Sequence, residues 1–543
     1  MKVQASLLSL AIASTLAVAA APADAAVSLR SAAIARADVL IGGNAAMLRR
    51  AAADVLVARD AVVDANGNEH VRYNRTWNGL PVIGGDFVVH SRNGKLASVS
   101  QTLTSAQRPS LRAQVSRDQA IVEAGARFGT QFFGAPTARS VVYARNTAPV
   151  LAHEVVFNGI KADQTPTEMH YFVDARNGKI LEQWDGIETA VPGPDGSSTC
   201  NGATAVVGVG KSLTEGNVAL NTTQCGSSYR MVDMTRGGGA THNMAMKTVG
   251  MGSVYSASSN TWGNNLVSNS QTVAADAHYG IQMTWDYYKN VHGRNGIDGA
   301  GTGAVTRVHY GRNYQNAFWS DGCYCMTFGD GDNGATIYPL VAIDVAGHEM
   351  SHGVTSRSAA LVYSGESGGL NEATSDIFGT MVEYYANNAA DPADYVMGEK
   401  LFPNNADMKK AIRWMFKPSL DKASADCYAS SIGSLNVHYS SGVANHFYYL
   451  LAEGAVVPNG FGAGSWANLT PAKLVCNGNT ALTGIGRDKA GKIWYRALTV
   501  YMTSSTNYAA ARTATLSAAA DLYGNGSAPY NAVAAAWSAV SVN

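Results

Sequence analysis

The sequence is poor in charge and poor in cysteine. Asp, Glu, Lys and Arg make up 15% of its 543 residues, and 40 cationic side chains balance 40 anionic ones. A polyanion-binding chain carries a strong positive excess, so nucleic acid is not the expected partner. Proline is sparse at 15 residues, which argues against a disordered chain. Internal repeats, coiled-coil heptads and a low-complexity tail are lacking. Beyond the N-terminus no uninterrupted apolar run reaches about 18 residues, so no later membrane span is expected. Glycine, by contrast, is abundant at 56 residues and favours turns and close backbone approaches. At this length two or three domains can bury cores without help from disulfides.

The N-terminus sets Lys2 ahead of an Ala- and Leu-rich stretch and ends it with Ala23-Asp24-Ala25, which reads as a secretory signal over residues 1–25. Export permits disulfides, and the cysteines number six: Cys200, Cys225, Cys323, Cys325, Cys427 and Cys476. The expected pairs are Cys200 with Cys225, Cys427 with Cys476 and Cys323 with Cys325, although other connectivities remain open and the sequence does not choose among them. Cysteine-free sequence before Cys200 gives way near the polar, turn-rich segment Val191 to Ser198, the expected domain boundary.

Upstream, strands are expected over 80–89 and 170–174, a hairpin turn at Asn177-Gly178 and a helix over 117–127, so residues 26–195 read as one or two small α+β units. Downstream, 201–340 suggests strands and loops around a helix near 271–291. Helical periodicity then dominates near 341–357, 369–388, 442–454, 485–503, 508–522 and 529–540. The expected parts are thus 196–357, rich in strands, and 358–543, helical, with a cleft between the lobes. The last helices run to Asn543 without a linker, so no appended C-terminal binding domain is expected.

The most informative segment is Gly347-His348-Glu349-Met350-Ser351-His352. Residues four apart share a helix face, so His348 and His352 can present two imidazoles to one metal while Glu349 faces a water. Glu372 lies 20 residues beyond His352, in Gly369-Leu370-Asn371-Glu372-Ala373-Thr374-Ser375-Asp376. A catalytic zinc takes three protein ligands and keeps one position for water, so Glu372 completes the set. Asp376, four residues further on the same face, can accept the outer ring proton of His348 and fix its tautomer.

These two motifs resemble those of the thermolysin-like secreted bacterial zinc metallopeptidases, in particular the elastase-like and vibriolysin-like branch. The resemblance covers about 200–543 and extends, more loosely, upstream to the family's propeptide, through Trp77 to Val82 and Asp174 to Ile180. It implies an α+β, two-lobed peptidase that cuts proteins and peptides, is made as an autoprocessed zymogen, and works as a secreted monomer with no membrane contact after export. It further implies that Asn316 and Ala317 align the substrate backbone, that Tyr363 and His438 assist the oxyanion, and that Arg413 binds a substrate carbonyl. Ile337, Leu340, Val345 and Ile412 are implied to line a pocket for a large hydrophobic residue on the amino side of the new product. Asp344, Glu383, Asp391 and Glu399 match carboxylates of a Ca2+ site, in which Ala393 and Thr380 replace expected acids, so one Ca2+ is expected beside the one Zn2+.

The chain departs from the family at Asn436, where Asp is usual. An amide orients the His438 imidazole but does not hold an extra proton on it, so a lower pKa for His438 is expected than in relatives. Two rival readings are an exopeptidase or esterase with the same zinc set, and a secreted zinc-stabilised adhesion or inhibitor module. Endopeptidic cleavage of casein excludes a strict exopeptidase, and a closed fourth zinc position would mark the module.

Overall fold

The computed structural model describes residues 23–129, 131–187 and 200–543, so most of the expected signal segment and the expected boundary at Val191 to Ser198 lie outside the described residues. The N-terminal region combines helices α1 (Ala23–Gly42) and α2 (Arg117–Phe128) with strands β1 (Asp54–Val63), β2 (Asn68–Trp77), β3 (Leu80–Ile83), β4 (Phe87–Arg92), β5 (Lys95–Gln101), β6 (Phe132–Tyr143), β7 (Val150–Ile160), β8 (Pro166–Asp174) and β9 (Ile180–Asp185). These nine strands join in one sheet, ordered β5-β4-β2-β3-β6-β7-β8-β9, with β1 paired to β2. Helix α2 starts at a reciprocal cap between Ser116 and Gln119 and stops at Gly129, whose φ of 65° is left-handed.

The run over 80–89, expected to be extended throughout, is broken between β3 and β4. Gly84 adopts φ +78°, which interrupts the pairing while β3 and β4 keep the same direction along β2, and Asp86 beyond it accepts from the Ser504 N–H at 2.9 Å. Other contacts fix the region on both downstream lobes. Arg72 donates to the Met502 carbonyl at 2.8 Å, Gln164 to the Arg312 carbonyl at 2.8 Å, and the Thr165 and Tyr314 hydroxyls lie 3.0 Å apart.

Residues 204–329 form a five-stranded and a six-stranded sheet around α3 (Ser270–His292), which is buried along most of its length. From there helices take over: α4 (Ile343–Ser356), α5 (Gly365–Ala386), α6 (Val437–Ser440), α7 (Gly442–Glu453), α8 (Arg487–Arg496), α9 (Tyr508–Tyr523) and α10 (Ala528–Ala539). The helix expected over 485–503 is α8 followed by a wider π-helical turn, Ala497–Tyr501. One apolar core runs through both lobes, from Trp262 and Trp319 to Phe378, Trp494 and Trp537. Disulfides join Cys200 to Cys225, Cys323 to Cys325 and Cys427 to Cys476.

Helices α4 and α5 lie at the junction of the lobes and touch through glycine. A Cβ on Gly347 would come 2.9 Å from Gly379 Cα, and one on Gly379 would come 2.4 Å from the Asp344 carbonyl oxygen. Only side-chain-free positions allow this approach, and it brings the acids of α5 within reach of the histidines of α4.

Candidate metal centre and active site

His348 and His352 sit one helical turn apart on α4, with their Nε2 atoms 3.0 Å from each other. Glu372, from α5, lies 3.5 Å from His352 Nε2 and 3.8 Å from His348 Nε2. All three side chains are buried, and Glu372 Oε2 has no hydrogen-bond partner.

The outer ring atoms fix the chemistry of the inner ones. His348 Nδ1 is 2.8 Å from Asp376 Oδ1, an acceptor. His352 Nδ1 is 2.8 Å from Asn371 Oδ1, and the Asn371 amide nitrogen donates to the Leu361 carbonyl at 2.9 Å, so its oxygen is the atom that faces the ring. Both histidines therefore carry their proton on Nδ1, and both Nε2 lone pairs converge beside a carboxylate. Such a donor set is matched to a divalent cation and poorly matched to anything else, which is the fit that Zn2+ requires.

Asp376 is the hub behind the histidines. It accepts from His348, from Arg413 Nε and Nη2 at 2.6 Å each, and from the Asn445 amide of α7 at 2.7 Å. Arg413 also stands 3.9 Å from Glu372. Burial works to raise the Asp376 pKa, but Arg413 and His348 hold it well below the usual carboxylate range. Burial opposes ionisation of Glu372 too, yet His438, His348, His352 and Arg413 bring it down to about 2. His352 is lowered to about 4 by burial and by the neighbouring His348. His348 is raised, because Asp376 and Glu372 outweigh burial.

Glu349 is buried beside these groups, and its carboxyl is pushed up to about 7 by desolvation, with His348 opposing and Glu372 adding. The Tyr363 hydroxyl donates to Glu372 and lies 3.2 Å from His438 Nε2. Asn436 Oδ1 accepts from His438 Nδ1 at 2.8 Å, and the ring itself is exposed to the cleft. The His438 pKa is lowered: Glu372 pulls it up, and the cations Arg413 and His348, with partial desolvation by the cleft walls around the accessible ring, outweigh that pull.

These groups open on a cleft of about 650 Å³ lined by Asn316, Ala317, Leu340, Val345, His348, Glu349, Met397, Ile412, Arg413 and His438. Ile337, expected in the pocket, does not line it. Its N–H donates to Asp332 at 2.9 Å to close a turn, its side chain packs against the core, and Met397 takes part in the lining instead. Residues of the N-terminal region complete one wall, among them Lys161, Asp163, Thr165, Gln183, Asp185 and Ile187.

A second acidic group lies at the other end of α4 and α5. Donor oxygens of Glu383, Asp391 and Glu399 fall within 4.8 Å of one another. Glu383 Oε1, Asp394 Oδ2 and Glu399 Oε2 are buried without hydrogen-bond partners. Asp344 stands next to this trio with both oxygens engaged, accepting from the N–H of Val345 at 2.7 Å and of Gly398 at 2.5 Å. Burial and mutual repulsion raise the whole group: Asp344 and Asp394 to about 7, Glu215 to about 9, and Glu383 and Glu399 well above the usual range. Lys400, 3.3 Å from Asp391, is a partial counter-charge.

Sequence reasoning missed Asn371, Asn445, Glu215, Asp394 and Met397. Asn371 sits one position before Glu372, where an amide on the ligand helix was a usable signal. Glu215, more than a hundred residues upstream, gave none.

Three family profiles match the chain: "Thermolysin metallopeptidase, catalytic domain" over 207–356, "Thermolysin metallopeptidase, alpha-helical domain" over 359–542, and "Fungalysin/Thermolysin Propeptide Motif" over 54–103. The transglutaminase-activating metalloprotease of Streptomyces mobaraensis is 46% identical over 497 residues, 90% of this chain and 61% of that protein. The chain thus spans less than two thirds of that relative's length. Thermolysin of Alicyclobacillus acidocaldarius subsp. acidocaldarius is 36% identical over 498 residues, covering 88% of this chain and 84% of its own. The solved precursor of protealysin, a metalloproteinase from Serratia proteamaculans, aligns at 30% identity over 56% of this chain and 87% of its own, with a TM-score of 0.43. Two converging Nε2 lone pairs, a buried glutamate, profile matches that span 207–542 almost without a break and a 36% identical thermolysin lead to one conclusion: the chain belongs to the thermolysin family of zinc metalloendopeptidases.

Proposed function

We propose that the protein is exported as a zymogen and, once freed of residues up to about 195, cuts proteins at bonds followed by a large hydrophobic residue. The observation that carries the reading is the convergence of His348, His352 and Glu372 at the floor of an open cleft with Glu349 alongside. Zn2+ bound there would supply Lewis acidity toward water and the scissile carbonyl. Glu349, whose carboxyl is raised by burial in the metal-free site, takes a proton from the attacking water and passes it to the departing amine. Tyr363 and His438 donate where negative charge develops on the substrate oxygen, and Arg413 orients a carbonyl beyond the scissile bond. Asn316 and Ala317 at the edge strand hold the substrate backbone.

Leu340, Val345 and Ile412, with Met397, form an uncharged recess that rejects a charged residue by desolvation. The N-terminal region supplies a wall of the same cleft, which supports its role as a cis inhibitor as well as a folding aid. Asp344, Glu383, Asp391 and Glu399, joined by Asp394 and Glu215, are suited to one Ca2+, a hard cation that relieves their repulsion. The test is mass spectrometry of the exported protein and of casein digested by it, with and without chelator. Internal cuts before large hydrophobic residues, abolished by chelation, are expected; release of terminal residues alone would refute the reading.

A further inference from the structure

Among the described residues a third group of metal-type side chains lies away from the cleft: Asp64, His70 and Asp521. Its centre is filled by Arg496, which donates to both oxygens of Asp64 at 2.7 and 2.6 Å and to Asp521 at 2.8 Å. Asp64 and His70 belong to the N-terminal region, Arg496 to α8 and Asp521 to α9, so the network joins the N-terminal sheet to the helical lobe.

His70 carries this joint inward. Its Nε2 lies 2.9 Å from Arg496 Nη2 and 3.1 Å from Asp64, and its Nδ1 lies 2.7 Å from Nδ1 of His90, its cross-strand partner on β4. His90 Nε2 then meets Ser100 Oγ of β5 at 2.9 Å. Both rings are buried, and both pack against Tyr501 in the π-helical turn, with centroids 6.0 and 4.7 Å away.

A contact between two ring nitrogens at this distance holds one proton. A second proton would set two N–H groups against each other in a site closed to water. Asp64, 3.1 Å from His70 Nε2, favours that extra charge, and burial with the cations Arg72 and Arg496 opposes it. Arg72 of β2 and Arg496 are cationic, Tyr501 and Ser100 are neutral, and the facing acids Asp64 and Asp521 already serve Arg496. Arg59, Asp60 and Asp86 lie beyond and act on Arg72.

We infer that the His70–His90 pair is a proton-sensitive latch that binds the N-terminal region to the face of the helical lobe made by Arg496, Tyr501 and Asp521, and releases it on acidification. After cleavage the same face retains the separated N-terminal region as its partner at neutral pH. The inference rests on the propeptide reading only for its biological use. Burial, His70, Arg72 and Arg496 hold the His90 pKa well below its ordinary value in the docked form. Undocked, the ring regains water and a value near about 6.5. Docking therefore has its full strength above that pH and weakens as pH falls below it.

The test is hydrogen exchange on the full chain carrying Glu349→Gln to prevent self-cleavage, corrected for intrinsic rates, from about pH 7.5 to about pH 5. Exchange in 68–77, 87–92 and 496–505 is expected to rise about tenfold or more, with no rise in His90→Asn, whose amide keeps a hydrogen bond to His70 but takes no proton. An equal rise in both proteins, or unchanged protection at acid pH in the parent, overturns the proposal. The parent series decides even if His90→Asn does not fold. Failure of the N-terminal region to inhibit casein cleavage would refute the propeptide reading and leave this result standing.

Discussion

The two acidic centres on α4 and α5 are built from the same helices and behave in opposite ways. At the histidine end Glu372 and Asp376 have cationic and donor partners and are held ionised, while the neighbouring Glu349 is raised by burial. At the other end, one turn before His348 on α4 and two turns after Asp376 on α5, six acids share little more than Lys400, and their pKa values rise. One centre is preorganised by protein charges for chemistry; the other is short of counter-charge, with Lys400 its partial cationic partner. Burial alone does not decide the fate of a carboxylate, since Glu372 and Glu383 are equally buried.

The sharpest attack on the first centre is Glu349→Gln. Hydrolysis should fall on the order of 10³-fold in kcat/KM, with zinc content by atomic absorption unchanged. A variant that kept near-normal turnover would remove Glu349 from its proposed role. Next in size, Asp376→Asn and Asn445→Leu should each weaken zinc binding by about 10–100-fold in chelator competition, because both loosen the carboxylate that orients His348. Asp376→Asn should also lower stability, since it leaves Arg413 buried without its charge partner. Unchanged zinc affinity in Asn445→Leu would reduce Asn445 to packing.

The second centre should answer to calcium and to pH. Saturating Ca2+ at about 100 times its Kd would add about 2.7 kcal/mol of stability, read as a higher melting temperature, and Glu383→Gln should remove most of that gain. The smallest expected effect concerns the calcium-free protein. Asp344, Asp394 and Glu215 bind protons more tightly folded than unfolded, so the stability they contribute is full below about pH 4 and is lost as pH rises through about 7 to 9. Calcium should flatten that slope. A slope of the opposite sign would mean that these acids are solvated.

The contrast also shows what the sequence reveals. Regular periodicity exposed α3, α4 and α5 closely, and the spacings of His348 with His352 and of Glu372 with Asp376 follow from one helical turn each. Long-range partners were harder. Asn371 orients His352 because a loop carbonyl at Leu361 fixes its amide, and Asn445 reaches Asp376 from a helix that only tertiary packing brings near. Ile337 reads as an aliphatic pocket residue, but a turn held by Asp332 directs it to the core. The break at Gly84 is invisible in a run of apolar residues unless the glycine pair is weighed above its neighbours.

The bare contact between Gly347 and Gly379 falls between the two centres, like the pin of a jaw with a tool at each end. A single methyl group wedged there would push apart the two helices that carry both sets of side chains, so one small substitution would disturb the histidine end and the acidic end together.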